Sequence, residues 1–134
     1  MNRKRSCVLL ADRHHGLRDG VRGLLETEFE TVFMVADEAS LIEGASRLRP
    51  GVVVLDLSIS EGDVWDLFAR IGARCPDSKL LVLSVHDEPT VAEAALRAGA
   101  HAVVLKRRLA TDLVPAIQAV RSGRPYVSEG IARA

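Results

Sequence analysis

Four side chains able to carry phosphoryl chemistry stand at the ends of separate apolar segments of this 134-residue chain: Asp12, Asp56, Ser84 and Lys106. Two carboxylates can hold a hard divalent cation through oxygen, and an aspartate can attack phosphorus to form an acyl phosphate. A hydroxyl and an ammonium can hold the transferred oxygens, because phosphoryl transfer depends mainly on positioning and charge stabilisation. Each residue alone could be an ordinary loop residue, but four at equivalent places favour a shared site.

Asp56 also has a simpler interpretation, since carboxylates are good N-caps and Asp56 could merely cap the helix that follows. The four residues before it, Val-Val-Val-Leu, form a continuous aliphatic run. Such a run is typical of a strand buried on both faces of a parallel sheet. A charge at its carboxyl end lies where open α/β sheets place their ligands. The other strand ends make capping alone the weaker interpretation.

The elements that must position these residues follow from the apolar pattern. Strands are predicted at residues 7–11, 31–36, 52–56, 79–84 and 102–105, with a helical pattern after each. This alternation predicts an α/β fold with a doubly wound, five-stranded parallel sheet, helices on both faces and right-handed crossovers. Because parallel strands point the same way, their carboxyl ends meet at one edge of the sheet.

Local signals predict where individual helices begin and end. Ser40 and Glu43 have the spacing of a capping box, and Ser60 followed by Asp63 indicates another helix start. Pro115 is compatible with the last helix only in its first turn. After Gly123 the pattern breaks into a tail.

Composition limits the classes of partner. Lys+Arg and Asp+Glu balance at 18 each, so no global charge recruits nucleic acid or an anionic membrane. The basic residues 3–5 are too short a cluster to indicate a phosphate-binding site. No apolar segment approaches the roughly 18 residues of a membrane span. Cys7 and Cys75 lack metal-binding spacing, which favours reduced thiols in a cytoplasmic protein.

With these residues in place, the chain resembles a response-regulator receiver domain, the CheY-like module of two-component signalling. The resemblance is strongest to receivers of the NarL/FixJ (LuxR) type. It is carried by VLLADRHHGLRDGVRGLLE, VVVLDLSISEGD, LVLSVHDE, ALRAGAHAVVLK and GRPYVS. It implies the flavodoxin-like (βα)5 fold with strand order 2-1-3-4-5.

The resemblance also implies a role for each site residue. Asp56 matches the phosphoacceptor, Ser84 the switch hydroxyl and Lys106 the lysine that pairs with the phosphoryl group. Asp12 matches the first of two paired acids. Together with Asp56 and the backbone carbonyl of Ser58, it would bind Mg²⁺.

Three positions depart from the family pattern. Arg13 stands where the second metal-binding acid is expected, Ser60 replaces a proline, and Val103 replaces the switch aromatic residue. An inward Arg13 about 5 Å from a dication would cost a few kcal/mol at an effective dielectric near 20. Arg13 could instead pair with Asp56 or Asp12 in place of the metal, or extend into solvent. Mg²⁺ binding is therefore expected to be weakened.

Three functional hypotheses follow. The first is a phosphoacceptor receiver that takes a phosphoryl group from a sensor histidine kinase. The second is a pseudo-receiver, a phosphorylation-independent interaction module in which Arg13 replaces the metal-binding acid. The third is a metal hydrolase using Asp12, Asp56 and the loop histidines His14, His15 and His86, which lacks the ligand spacing of known motifs.

The resemblance also predicts organisation and partners. Residues 1–128 are expected to form the receiver domain, and residues 129–134 a tail or the start of a linker. The receivers it resembles usually precede a helix-turn-helix output domain, which is absent from this chain, so DNA would be contacted only through that domain. A homodimer is a further expected assembly, and the receiver itself is expected to be a signalling module and not an enzyme.

Overall fold

The computed structural model describes residues 7–131, in which strands and helices alternate along the chain. The strands are β1 (Cys7–Ala11), β2 (Thr31–Val35), β3 (Val52–Asp56), β4 (Lys79–Ser84), β5 (Ala102–Leu105) and β6 (Tyr126–Val127). The helices are α1 (His15–Leu25), α2 (Glu38–Leu48), α3 (Val64–Arg74), α4 (Pro89–Arg97) and α5 (Leu109–Arg121). Short 3-10 turns, Leu57–Ile59 and Lys106–Arg108, follow β3 and β5 directly. The basic residues 3–5 lie outside the described range. Within it, no helix is long and apolar enough to cross a membrane.

All six strands form one parallel sheet in the order β2-β1-β3-β4-β5-β6. The predicted α/β class and the strand order 2-1-3-4-5 are confirmed. The prediction of five strands is incomplete, because β6 adds a short sixth one in the segment interpreted as a tail. Tyr126 and Val127 pair with Ala102 and Val103 of β5. Two residues beside a proline carry too little periodicity to predict a strand.

Strand β3 lies at the centre of the core and is buried along its whole length. Val53 and Leu55 face the apolar cluster shared with α2, α3 and α4. Val52 and Val54 face the opposite cluster, shared with α1 and α5. Burial on both faces explains why the strand has no polar residue until Asp56.

Helix α2 begins three residues earlier than the capping-box pattern predicted. Asp37 is its N-cap, and the Asp37 carboxylate accepts a hydrogen bond from the Ser40 N–H at 2.7 Å. The prediction of Ser40 as the cap is wrong. Asp37 precedes Ser40 by the same interval as Ser40 precedes Glu43, and Asp37 is the residue that caps the helix. For α3, Asp63 is the cap and accepts from the backbone N–H of Trp65 at 2.9 Å.

Pro115 lies in the interior of α5 and not in its first turn, so that prediction is also wrong. Proline inside a helix removes one backbone hydrogen bond and costs about 3 kcal/mol. The opposite face of α5 is buried through Leu113, Ala116 and Ile117. The burial of each large apolar side chain is worth about 1.5–3 kcal/mol, which outweighs the lost bond.

The edge of the sheet near β6 is held by a buried polar network centred on Ser128. The Ser128 hydroxyl donates to Asp112 Oδ2 at 2.6 Å and accepts from the Leu105 N–H at 3.0 Å. Arg108 also donates to both oxygens of Asp112, at 3.0 and 3.3 Å. Burial raises the pKa of Asp112, but hydrogen bonds from Arg108 and Ser128 outweigh it and hold that pKa below its usual range. The network joins the end of β5 to α5 and to the segment after β6.

Replacement of Ser128 by alanine should lower the free energy of unfolding by about 1–3 kcal/mol, because it leaves the buried Leu105 N–H without an acceptor. Urea unfolding followed by circular dichroism measures this loss. Ser122→Ala is the matched control, since Ser122 is exposed just after α5, and it should change stability by no more than about 0.5 kcal/mol. Equal stability of the two variants would contradict the role assigned to Ser128.

Candidate functional site

The carboxyl edge of the sheet brings the predicted site residues to one side of the molecule. Register pairs Ala11 with Leu55, so that Asp12 follows β1 beside the end of β3. Asp56 pairs with Leu83, and Ser84 pairs with Leu105, directly before Lys106. The strand ends are therefore level, as the sequence predicted for parallel strands.

Asp56 is only 3 % exposed and has a different partner on each carboxylate oxygen. Its Oδ1 accepts a hydrogen bond from the Ser58 N–H at 3.1 Å. Its Oδ2 forms an ion pair with the Lys106 ammonium group. Burial alone would raise the pKa of Asp56, but the hydrogen bonds from Lys106 and the Ser58 N–H outweigh it and hold that pKa below its usual range. Asp56 is thus an ionised carboxylate at neutral pH.

The capping interpretation of Asp56 accounts for half of what the structure shows. Asp56 caps the 3-10 turn Leu57–Ile59 through Oδ1, whereas the following helix α3 is capped by Asp63. The second oxygen of Asp56 takes no part in capping and faces Lys106. A local turn therefore orients the carboxylate, and Lys106, which follows a distant strand, stabilises its negative charge.

Asp12 is fully buried and lacks the cation that Asp56 contacts. Its Oδ1 accepts from the His14 N–H at 2.7 Å, while Oδ2 has no hydrogen-bond partner among the described residues. Burial raises the pKa of Asp12, and the neighbouring charge of Asp56 adds to that rise. The His14 N–H and Lys106 oppose it only in part. Asp12 therefore carries an unsatisfied negative charge when ionised.

Ser84 is buried at the end of β4, and its hydroxyl accepts from the His86 N–H at 2.9 Å. Its side chain is thus oriented by the loop that follows β4. In the neighbouring strand β5, Val103 is buried and pairs with Val82 of β4. It stands at the position where the family places an aromatic ring.

Arg13 extends into solvent, the outward of the two orientations that the sequence left open. In the described part of the chain, Asp56 forms an ion pair with Lys106 and lies 3.8 Å from His14 Nε2, and it does not pair with Arg13. Ser60, which replaces the proline of the family pattern, lies in a loop. Its hydroxyl donates a hydrogen bond to the Gly62 carbonyl at 3.1 Å.

His14 approaches the site more closely than its sequence context indicated. Its Nε2 lies 3.8 Å from Asp56 Oδ2 and 3.4 Å from the Ser58 hydroxyl. The sequence placed it only as one of three loop histidines, although its position two residues after Asp12 was a usable signal. His86 is turned away, with its Nδ1 3.7 Å from Glu88. His15 is the first residue of α1.

A divalent cation fits the residues at this edge. Ligand atoms of Asp12, His14 and Asp56 all lie within 4.8 Å of one another. Asp12 Oδ2 is a buried oxygen with no partner in the described structure, which is costly unless a cation or donor satisfies it. The carboxylates have the oxygen donors that hard cations prefer.

The polar network around Asp112 was not predicted from the sequence. It begins at Arg108, two residues after Lys106 in the same 3-10 turn. The only local sequence signal for this network was the position of Arg108 four residues before Asp112. This spacing places two side chains on the same face of a helix.

Replacing Asp12 by asparagine should stabilise the metal-free fold at neutral pH. The pKa of Asp12 is raised in the folded state, so the folded chain binds this proton more tightly than the unfolded chain does. Ionisation of Asp12 therefore costs stability as the pH rises through that pKa. The asparagine carbonyl can still accept the His14 N–H, while the buried charge is gone.

The measurement is urea unfolding in EDTA across a pH series. We expect Asp12→Asn to be more stable than wild type at pH about 7.5, with the gain shrinking toward the ordinary aspartate pKa of about 3.9. Asp19→Asn is a control at an exposed position of α1, and it should change the stability little at any pH of the series. A gain that grows on acidification would contradict the buried-charge explanation.

Comparison with known proteins identifies the family. Residues 8–118 match the family model described as the response regulator receiver domain. The transcriptional regulatory protein DegU of Brevibacillus brevis is 30 % identical over 129 residues, which cover 95 % of this chain and 55 % of DegU. The chain thus spans about half the length of this relative.

Solved structures agree in fold. The isolated receiver domain of RcsB from Salmonella enterica serovar Typhimurium, determined with the phosphomimetic BeF3⁻, has a TM-score of 0.82 and 27 % identity, covering 93 % of this chain and 94 % of that one. A LuxR-family two-component response regulator from Aurantimonas sp. SI85-9A1 has a TM-score of 0.84 and 27 % identity, with 93 % and 91 % covered. A structure of two RcsB dimers on two parallel DNAs has a TM-score of 0.79 and 27 % identity, with 93 % and 65 % covered.

The resemblance that the strand-end residues indicated is thereby confirmed, including its similarity to regulators of the LuxR type. With a family match over most of its length and a parallel sheet in the expected order, the chain belongs to the response regulator receiver domain family.

Proposed function

We propose that this receiver accepts a phosphoryl group on Asp56 from a sensor histidine kinase in a two-component phosphorelay. The observation that carries the proposal is the state of Asp56, an ionised carboxylate held between the Ser58 N–H and Lys106 at the carboxyl edge of the sheet. A depressed pKa leaves an oxygen lone pair available at neutral pH.

The reaction is a transfer between two nucleophiles. A carboxylate oxygen of Asp56 attacks phosphorus of the phosphohistidine, the P–N bond breaks, and the imidazole leaves with its electron pair. The product is an acyl phosphate on Asp56. Lys106 already contacts Asp56 and is placed to neutralise charge on the phosphoryl oxygens. Ser84 can donate its hydroxyl proton to one of them.

A divalent cation belongs to this proposal. Asp12 and Asp56 would hold Mg²⁺ or a related ion, with the backbone carbonyl of Ser58 as a further oxygen ligand. When bound, the cation would supply additional charge neutralisation for the phosphoryl group. Because Arg13 extends into solvent, its charge is screened by water, and the cost expected for an inward arginine is reduced.

A second candidate is the phosphorylation-independent pseudo-receiver, favoured by the absence of an acid at position 13. It predicts no measurable Mg²⁺ binding by the wild-type chain and restored binding in Arg13→Asp. A Mg²⁺ titration followed by calorimetry separates the two candidates. Wild-type binding at millimolar Mg²⁺ removes the reason for this alternative.

The wider context is also a proposal, because the chain spans about half of DegU. We propose that residues 1–128 form the receiver and that residues 129–134 begin a tail or a linker to a DNA-binding output domain. DegU is named a transcriptional regulatory protein, and RcsB is described as dimers on DNA. By analogy, this protein would contact DNA through its output domain and could act as a homodimer. The receiver would be a cytoplasmic signalling module and not a turnover enzyme.

Phosphorylation of Asp56 is tested with acetyl phosphate and a divalent cation, or with a cognate kinase. We expect a product heavier by one phosphoryl group in intact-mass spectrometry, stable in acid and labile in base. Asp56→Asn should abolish it, whereas Asp77→Asn, an exposed aspartate in the turn before β4, should not. Lys106→Met should slow its formation on the order of 10²-fold, as is typical when one preorganised charge partner is lost.

The proposal fails if the wild-type chain forms no adduct with any donor or cation. It fails equally if the adduct persists in Asp56→Asn, because the phosphoryl group would then be on another residue.

A further inference from the structure

The His14 ring has no role in the receiver chemistry described above. His14 is the N-cap residue of α1, yet its side chain makes no capping hydrogen bond. The ring is turned toward the carboxyl edge of the sheet, where Nε2 lies 3.8 Å from Asp56 Oδ2 and 3.4 Å from the Ser58 hydroxyl. The ring therefore does not stabilise the start of the helix as a capping side chain would.

The ring faces two buried carboxylates, one of which lacks a partner. Ligand atoms of Asp12, His14 and Asp56 lie within 4.8 Å of one another. Asp12 is fully buried, and its Oδ2 has no hydrogen-bond partner in the described residues. A buried carboxylate oxygen without a partner, close to an imidazole whose Nε2 otherwise contacts only the Ser58 hydroxyl and Asp56 among the described residues, is the donor set of a metal site.

We propose that His14 is a metal ligand in this receiver, replacing the carboxylate that is missing at Arg13, and that the site prefers a first-row transition dication to Mg²⁺. The donors are a carboxylate oxygen of Asp12, a carboxylate oxygen of Asp56 and Nε2 of His14. This inference rests on the proposed function in that it assigns the cation of the same site.

The separation of the donors is compatible with one ion. Metal–ligand distances of about 2.0–2.2 Å place two donors on one ion about 3–4.2 Å apart, depending on the angle between them. The 3.8 Å between His14 Nε2 and Asp56 Oδ2 falls in this range. The 4.8 Å limit on the whole group requires only a small inward movement, which an exposed ring can make.

The chemistry of the donors determines the metal. Mg²⁺ takes oxygen ligands and depends on the charge of carboxylates, and the arginine substitution leaves it one carboxylate fewer. Imidazole is neutral, so it cannot replace that charge, but its nitrogen binds Zn²⁺, Ni²⁺ and related ions well. A site that has lost the acid at position 13 and uses the neighbouring imidazole of His14 therefore has a lower Mg²⁺ affinity but keeps its affinity for ions that accept nitrogen.

The orientations of the two neighbouring side chains support this assignment. The Arg13 side chain is exposed, whereas the ring of the next residue approaches Asp56. Consecutive residues in the loop thus place the cation away from the site and the nitrogen donor toward it. Lys106 pairs with the same Asp56 oxygen, Oδ2, that His14 approaches, which leaves Asp12 Oδ2 as the oxygen most available to an ion.

The test compares Co²⁺ and Mg²⁺ binding to the wild-type chain, His14→Gln and His86→Gln by titration calorimetry. The visible spectrum of bound Co²⁺ reports nitrogen ligation independently of affinity. His86 is a matched control, because its exposed imidazole lies on a neighbouring loop and faces Glu88. Thermal unfolding checks that both variants fold, which is expected because both rings are about half exposed.

We expect His14→Gln to weaken Co²⁺ binding at least about ten-fold, since mutation of even outer-sphere groups costs 10–100-fold. Its Mg²⁺ affinity should be unchanged, and the Co²⁺ spectrum should lose its nitrogen signature. His86→Gln should match wild type in every measurement. Unchanged Co²⁺ affinity and spectrum in His14→Gln would overturn the inference, as would an equal loss of Co²⁺ and Mg²⁺ affinity.

Phosphorylation assays distinguish a failure of this inference from a failure of the proposed function. An adduct on Asp56 together with His14-independent Co²⁺ binding overturns the inference and leaves the receiver function intact. Co²⁺ binding that requires His14, with no adduct under any donor, supports the metal site and contradicts the phosphoacceptor role.

Discussion

The ion pair between Asp56 and Lys106 is the interaction on which the site depends. A buried carboxylate is costly unless a charge and hydrogen bonds compensate for it. Lys106 provides the charge, and the Ser58 N–H provides a further bond. The two partners follow β3 and β5, which are separated by β4 in the sheet. The pair can form only because the register keeps these strand ends level, so the site is a consequence of sheet alignment.

The same edge gives two aspartates opposite properties. Asp12 and Asp56 are both buried, but the pKa of Asp12 is raised and that of Asp56 is lowered. The difference lies in their contacts, because Lys106 pairs directly with Asp56 and only weakly offsets the burial of Asp12. Two interacting carboxylates titrate as a pair, so stabilising one as an anion makes ionisation of the other more costly. This arrangement places an ionised carboxylate next to an oxygen that has no partner among the described residues.

The 3-10 turn Lys106–Arg108 connects this site to the edge of the sheet. Lys106 contacts Asp56, Arg107 donates to the Gly130 carbonyl at 3.3 Å, and Arg108 contacts Asp112. Ser128 extends the last contact to the end of β5. Three consecutive basic residues thus join Asp56, the segment after β6 and helix α5. This direct connection exists in a chain whose β5 carries the buried Val103 in place of the family's aromatic switch residue.

The fold class, the central buried strand and the four residues at the strand ends could be predicted from the amino-acid sequence. These follow from local hydrophobic patterns and from the geometry that all parallel sheets share. Other features depend on contacts between distant segments and appear only in the folded chain. Pro115 lies inside α5, where burial outweighs a lost hydrogen bond, and β6 pairs with the open edge of β5. The tertiary structure also gave His101 a structural part, since its Nδ1 accepts the Leu80 N–H at 3.0 Å. Above all, the Arg13 side chain extends into solvent while the ring of His14 lies beside Asp56, because the path of the loop after β1 orients consecutive side chains differently, and residue types alone do not predict that path.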